Sequence, residues 1–248
     1  MTKRCFDFFI SLAIFIFLSP LFLIVSILVF FNDFQSPFYL AKRVGIGGVE
    51  FIMIKFRSMR EIVSLNHLVS TSENDPRITP IGRLIRKYKI DEFPQLFNVI
   101  LGNMTFVGPR PNVKVEVDLY SDLERQILTQ KPGITDISSI VFSDLNQILS
   151  KADDPNITYN QLIRPWKNKL ALFQIQHSGF LIELKIIFFT AINLISRKYA
   201  LLGIRKLLIK LDAPAELVDI CKADRELIPQ IPPGEKSLVT KEFRDGFN

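Results

Sequence analysis

From Cys5 to Phe31 the chain runs through 27 residues in which Asp7 is the only charge, and Ser19-Pro20 interrupts that run near its middle. A straight helix of this length reaches about 40 Å, enough to cross a hydrocarbon core of roughly 30 Å. A signal peptide has a shorter apolar core and a small-residue cleavage site, and neither is seen here. Pro20 cannot donate to the Ile16 carbonyl and disfavours helix at Ser19, so a break is expected there, with the Ser19 hydroxyl available to the freed carbonyl. Each half, at about 18–21 Å, is too short to span alone. Lys3 and Arg4 precede the run, while Lys42, Arg43, Lys55 and Arg57 follow it. Positive charge on both flanks draws both ends toward the cytoplasm. The expectation is a re-entrant helix-break-helix rather than a spanning helix.

The rest of the 248 residues has the length of one domain with an appendage. A mean hydropathy of +0.23 is high for a soluble protein and low for a polytopic one, which suits a single membrane element on a globular body. The tail from Asp212 carries eight acidic and five basic residues, so the net +6 of the whole chain places +9 on residues 1–211. That basic body calls for an anionic partner: lipid headgroups, nucleotide phosphates or nucleic acid. Cys5 and Cys221 supply no disulfide framework or zinc cluster, in keeping with a reducing compartment. His67 and His177 are too few for histidine-based metal or triad chemistry.

Residues 36–60 read as short extended segments around a Gly45-Ile46-Gly47-Gly48 turn, and the polar stretch from Arg60 to Asp75 as a mobile loop. Thr79-Pro80 is an N-cap with proline at the first helical position, opening a basic helix through Lys89. A second helix is expected from Asp91 to Leu101, ended by Gly102. Gly108-Pro109-Arg110-Pro111 must be a rigid turn, and Lys131-Pro132-Gly133 another break. Residues 181–211 are strongly apolar, with Glu183, Thr190, Asn193 and Arg197 in a narrow polar stripe and Lys198, Arg205, Lys206 and Lys210 beyond it. A buried core helix would look like this; the basic end and broad apolar face favour partial burial in an anionic membrane interface.

The chemistry is concentrated between Asn74 and Pro111, where Asp91-Glu92 follow Arg83, Arg86, Lys87 and Lys89 at the expected helix start. A helix N-terminus and nearby cations stabilise an ionised carboxylate. Such a group serves as a nucleophile or as a ligand for a hard cation, preferably Mg²⁺, and the arginines can neutralise a diphosphate. An N-cap Asp with a solvated neighbour accounts for the same pair without any chemistry.

Ordered motifs along residues 1–200 resemble the bacterial sugar transferase family of monotopic phosphoglycosyl transferases. They are Lys3-Arg4-Cys5-Phe6-Asp7, Ser19-Pro20, Lys55-Phe56-Arg57-Ser58-Met59, Asp75-Pro76-Arg77-Ile78-Thr79 and Asp91-Glu92 with Pro94-Gln95. Asn98, Gly102, Val107-Gly108-Pro109-Arg110-Pro111 and Lys131-Pro132-Gly133-Ile134-Thr135 continue the match, and Leu184-Lys185-Ile186-Ile187 with Thr190 resembles the family's closing helix. The resemblance implies that Asp91 attacks the β-phosphorus of a UDP-sugar, releases UMP, and yields its phosphosugar to polyprenyl (undecaprenyl) phosphate. It further implies Glu92 as metal neighbour or proton handler, with Mg²⁺ held at Asp91 and Glu92. Phosphate or nucleotide contacts fall to Arg86, Lys55, Arg57 and Arg110, and the membrane break to Ser19 and Pro20. Many members carry a Gly-Trp-containing stretch and a Gly-Arg pair after Pro-Gly-Ile-Thr; here Asp136-Ile137-Ser138-Ser139-Ile140-Val141-Phe142 stands instead.

The expected fold is therefore α+β and mainly helical. Residues 1–35 form a re-entrant membrane hairpin, 36–211 a cytoplasmic, membrane-associated catalytic domain with amphipathic helices, and 212–248 a tail with a small helix and a loose end. The expected place is the cytoplasmic face of the bacterial inner membrane, against anionic lipid. The task is initiation of a surface glycan: exopolysaccharide, O-antigen or glycoprotein glycan. Nucleic acid is not an expected partner; a homo-oligomer is compatible with the reading. A metal-dependent phosphohydrolase would use the same carboxylates but leave the hairpin unexplained. A non-catalytic membrane adaptor would leave the carboxylate-arginine cluster unexplained.

Overall fold

The computed structural model describes residues 2–60, 75–222 and 224–240. Most of the loop expected over Arg60 to Asp75 lies outside the described residues, as does the far end of the tail. One helix, α1 (Thr2–Asp33), takes up the whole apolar run. The expected division at Ser19-Pro20 is corrected here: α1 continues through Pro20 as a single helix. The Ser19 hydroxyl donates to the Ile16 carbonyl at 2.8 Å, replacing the bond that proline removes. Among the described residues α1 is the one helix long and apolar enough to cross a membrane.

The hairpin β1 (Phe38–Val44) and β2 (Glu50–Phe56) pairs antiparallel around the glycine-rich turn, as the alternation predicts. Its continuation, Ser58 to Arg60, is held by Asp75 to Thr79 through a Met59–Ile78 bridge and the Arg60 N–H on the Arg77 carbonyl at 2.8 Å. Helix α2 (Pro80–Lys87) starts on Thr79, whose hydroxyl accepts from the Gly82 N–H at 2.9 Å. It stops before Lys89, which adopts the left-handed conformation with φ 57°. A single 3₁₀ turn, Ile90–Glu92, follows, and α3 (Gln95–Leu101) begins only after Pro94. Asp91 thus stands on a tight turn ahead of α3 and not at its start. Gly102 closes α3 in the left-handed region as expected.

Asn98 fixes α3 against the hairpin. Its side-chain amide accepts from the Ile54 N–H at 2.9 Å and donates to the Ile52 carbonyl at 2.7 Å, so it pairs with the β2 edge as another strand would. Strand β3 (Thr105–Val107) then leads through two short helices, α4 (Lys114–Asp118) and α5 (Asp122–Arg125), to β4 (Gly133–Thr135), which pairs with β3 in parallel. A Cβ on Gly133 would lie 2.1 Å from the Gly108 nitrogen, so only glycine permits this approach. The two expected rigid turns therefore meet at one backbone crossing, two residues before Arg110.

The main core gathers α6 (Ile137–Val141), α7 (Leu145–Leu149), the π-helical turn Tyr159–Ile163 that follows α8 (Pro155–Thr158), α9 (Arg164–Gln176), α10 (Phe180–Ile195) and α11 (Arg197–Lys210). Ile137, Ile140, Ile163, Leu170, Ile186, Ile204 and Leu208 are almost fully enclosed there. Below them Arg164 is held by Glu124, which Asn168 also binds at 2.6 Å. The polar stripe on α10 and α11 faces this body: Glu183 meets Lys3, Thr190 meets Thr135, Asn193 meets Ser143 and Arg197 meets Asp144. The opposite face of α10 shows apolar side chains outward, with Ile195 90% exposed, and α1 likewise bares apolar side chains, with Phe17 82% exposed.

Both ends of α1 are tied to the same body. Lys3 donates to the Val107 carbonyl, Arg4 to the Val99 and Ile100 carbonyls at the end of α3, and Thr105 to Asp7 at 2.6 Å. At the other end Arg57 grips Asp33 with both guanidinium NH₂ groups. After residue 211 the chain forms α12 (Ala215–Asp219), and Leu217, Ile220 and Cys221 complete the main core. Arg225 reaches back to Asp144, where it and Arg197 take one carboxylate oxygen each, at 2.9 and 2.8 Å.

Candidate active site

The left-handed turn at Lys89 presents Asp91 and Glu92 toward a cleft floored by β2 and the Arg110 turn. Glu92 takes Lys55 at 3.4 Å and a two-pronged contact from Arg110. Burial opposes its ionisation, but Arg110 and Lys55 outweigh burial and hold the carboxyl well below the ordinary range. Asp91 behaves in the opposite sense. It is buried, its Oδ1 has no hydrogen-bond partner, and burial together with the Glu92 charge raises it above the usual aspartate value against Lys55, Arg86 and Lys89. One carboxylate is saturated and the other is left open.

Two cavities meet at this open carboxylate. One, about 380 Å³, is lined mainly by apolar groups and reaches Ile14 and Leu18 of α1 and Leu194 of α10. The other, about 600 Å³, is polar and lined by Arg43, Arg60, Arg77, Asn112 and Glu116. Lys55, Arg86, Asp91, Arg110, Leu145, Asn146 and Lys167 belong to both. Arg86, Lys55 and Arg110 are thus brought together around Asp91. Arg57 borders the polar cavity, but its guanidinium is engaged with Asp33 and the Ser36 carbonyl. Ser19 and Pro20 lie on α1, away from the carboxylates' own contacts.

Lys167 and Asn146 complete the junction although nothing in their local sequence marks them. Lys167 is one cation within a mixed helix, α9, and Asn146 belongs to a five-residue helix, α7. Burial pulls the Lys167 ammonium down to about 8. The wall carrying Asn146 runs from Ser138 to Leu149 and is pinned at Asp144 by Arg197 and Arg225.

The donor set bears directly on a divalent cation. Among the described residues no three His, Cys, Asp or Glu side chains converge. Asp91 offers a bare buried oxygen, whereas both Glu92 oxygens are taken by Arg110 and Lys55, so a divalent cation here would rest on Asp91 and the substrate phosphates rather than on the expected Asp91-Glu92 pair.

The chain that builds this cleft beside an apolar helix has a family. The model of the bacterial sugar transferase family matches residues 1–197, and the chain belongs to that family. Its relatives include the exopolysaccharide production protein ExoY of Sinorhizobium fredii, 39% identical over 155 residues, covering 56% of this chain and 69% of the relative. The undecaprenyl-phosphate galactose phosphotransferase of Salmonella typhimurium is 41% identical over 149 residues, covering 54% of this chain and 31% of that longer protein. A UDP-glucose:undecaprenyl-phosphate glucose-1-phosphate transferase of Klebsiella pneumoniae is 33% identical over 141 residues, 56% of this chain and 30% of its own length. Arg225, which pins the cleft wall, lies beyond the family-matched stretch.

Proposed function

We propose that this chain transfers a sugar-1-phosphate from a UDP-sugar to polyprenyl phosphate through a phosphosugar ester on Asp91, releasing UMP. The carrying observation is the unpartnered Asp91 oxygen at the junction of a polar and an apolar cavity. The polar cavity takes the nucleotide, with Arg86, Lys55 and Arg110 facing its phosphates. Asp91 attacks the β-phosphorus; the bond to the bridging oxygen breaks and its electron pair leaves with UMP. The apolar cavity, open between α1 and α10, takes the first prenyl units of the acceptor. A phosphate oxygen of the acceptor then attacks the same phosphorus and the bond to Asp91 breaks, restoring the carboxylate. Glu92, locked by Arg110 and Lys55, keeps those cations in place, and Asp91 with the donor's phosphates would hold Mg²⁺. That ion, when bound, neutralises diphosphate charge. The relatives' names support the lipid acceptor and a role in starting exopolysaccharide assembly.

The deciding assay is UMP release from a panel of UDP-sugars, with and without polyprenyl phosphate. UMP before acceptor is expected, with loss of turnover in excess chelator. A strict need for both substrates together would replace the covalent scheme with direct transfer. Water as sole acceptor would make the protein a phosphohydrolase.

The same reading bends the unbroken α1 at Pro20, so that it enters and leaves one side of the inner membrane as a re-entrant element, with the catalytic body on the cytoplasmic side. Attachment of both ends of α1 to one body supports it, as do the cations on both flanks and the exposed apolar side chains of α1 and α10. Cysteines placed near Lys3 and Lys42 should be equally protected from an impermeant reagent in intact cells. Labelling of either from outside would mean a spanning helix.

A further inference from the structure

We propose that Lys167 is the cation that holds the migrating phosphoryl group through both half-reactions, an assignment that rests on the transfer reading above. It lines both cavities, together with Asp91 and Arg86. Most cations around it are spoken for: Lys55 and Arg110 serve Glu92, Arg57 serves Asp33 and Arg77 serves Asp75. No described carboxylate lies within ion-pair distance of the Lys167 ammonium. Its Nζ stands 5.7 Å from the centroid of the Tyr159 ring, a contact that steadies a cation without neutralising it. Asp136 is the first acid to influence it, yet both Asp136 oxygens are occupied by the cap of α6, from the Ser139 N–H at 2.6 Å and the Ser138 hydroxyl.

The backbone beneath Lys167 is fixed. Arg164 and Asn168, on either side of it on α9, are locked to buried Glu124. An ammonium carried on a fixed stretch of backbone, with three donors and no competing anion, is placed to meet non-bridging phosphate oxygens. A cation already paired would have to give up its partner first. The phosphorus stays near Asp91 while UMP departs and the lipid phosphate enters, so a group reaching both cavities serves both displacements. Burial, which lowers the affinity of this amine for its proton, adds to the gain when a phosphate dianion takes the place of solvent.

The test separates the half-reactions in the full chain, using β-phosphorus-labelled UDP-glucose or UDP-galactose, whichever wild type turns over. Label uptake reports the first step; chasing the isolated labelled enzyme with undecaprenyl phosphate reports the second. Lys167→Met should slow both single-turnover rates by about 100-fold, and Lys167→Arg should keep both within about tenfold of wild type. Should the methionine variant fail to fold, Lys167→Gln against Lys167→Arg gives the same contrast. Wild-type rates in either neutral variant would overturn the assignment, and slowing of one step alone would overturn the claim that the lysine serves both. Wild-type enzyme that turns over UDP-sugar and polyprenyl phosphate without ever taking up label would instead remove the covalent reading on which the proposal rests, before any variant is made.

Discussion

An Asp91→Asn enzyme is expected to release no UMP and take up no phosphosugar label, a loss of at least about 10³-fold, while folding as well as wild type or better. The stability half follows from the sign of its titration. Asp91 is raised in the folded protein, so ionising it near neutral pH costs stability, and that cost disappears as pH falls through the folded value. Asparagine removes the cost. Glu92 is lowered, so its charge contributes stability that is present above the ordinary glutamate value and lost as pH falls through the depressed one. Glu92→Gln should therefore destabilise, by about 2 kcal/mol, less than a fully buried pair because Arg110 retains contact with solvent. It should slow turnover yet still permit labelling. Adjacent carboxyls thus shift the melting temperature in opposite directions. Label on Asp91→Asn but not on Glu92→Gln would reverse their roles. For the free enzyme, kcat/KM for the donor should fall on the acid side at a pH above the usual aspartate range, because attack needs the ionised form.

The second large effect is structural. Arg164→Met should destabilise by about 3–5 kcal/mol, lowering the melting temperature by roughly 6–20 °C for a chain of this size. Arg164 is 1% exposed, donates to Glu124, Asn160 and the Leu119 carbonyl, and lies over the Tyr120 ring at 5.3 Å. Methionine fills much of that volume but leaves Glu124 charged in a dry site. Converting Glu124 to leucine as well should recover part of the loss. Thermal unfolding in detergent measures both, and a drop under about 2 °C for Arg164→Met would show that water reaches Glu124.

What could be read from the sequence was local. Thr79-Pro80 specifies its own cap, Gly45 to Gly48 their own turn, and Asp91-Glu92 with Arg86 lie within one short stretch. The Ser19 hydroxyl was legible as the partner of Ile16, but its success in carrying α1 through Pro20 was not, because the remaining backbone bonds decide that. The helix expected from Asp91 failed on Lys89, whose left-handed conformation no simple pattern signals, and on Pro94, behind which α3 starts. The fate of Arg57 was set by Asp33, 24 positions away, and that of Lys167 by a cleft whose lining runs from Ile14 to Leu194. Non-local partners were the missing information in each case.

The Arg225–Asp144 contact gives biosynthesis a definite order. Helix α1 leaves the ribosome before the rest of the described fold. The cleft wall at Ser138 to Leu149 emerges next, but its clasp is supplied from 81 positions farther on. Until Arg225 has been translated and docked, Asp91 and its neighbouring cations can be in place while the wall opposite them is held at Asp144 by Arg197 alone. The cleft's carboxylates are therefore made early and its wall is braced late.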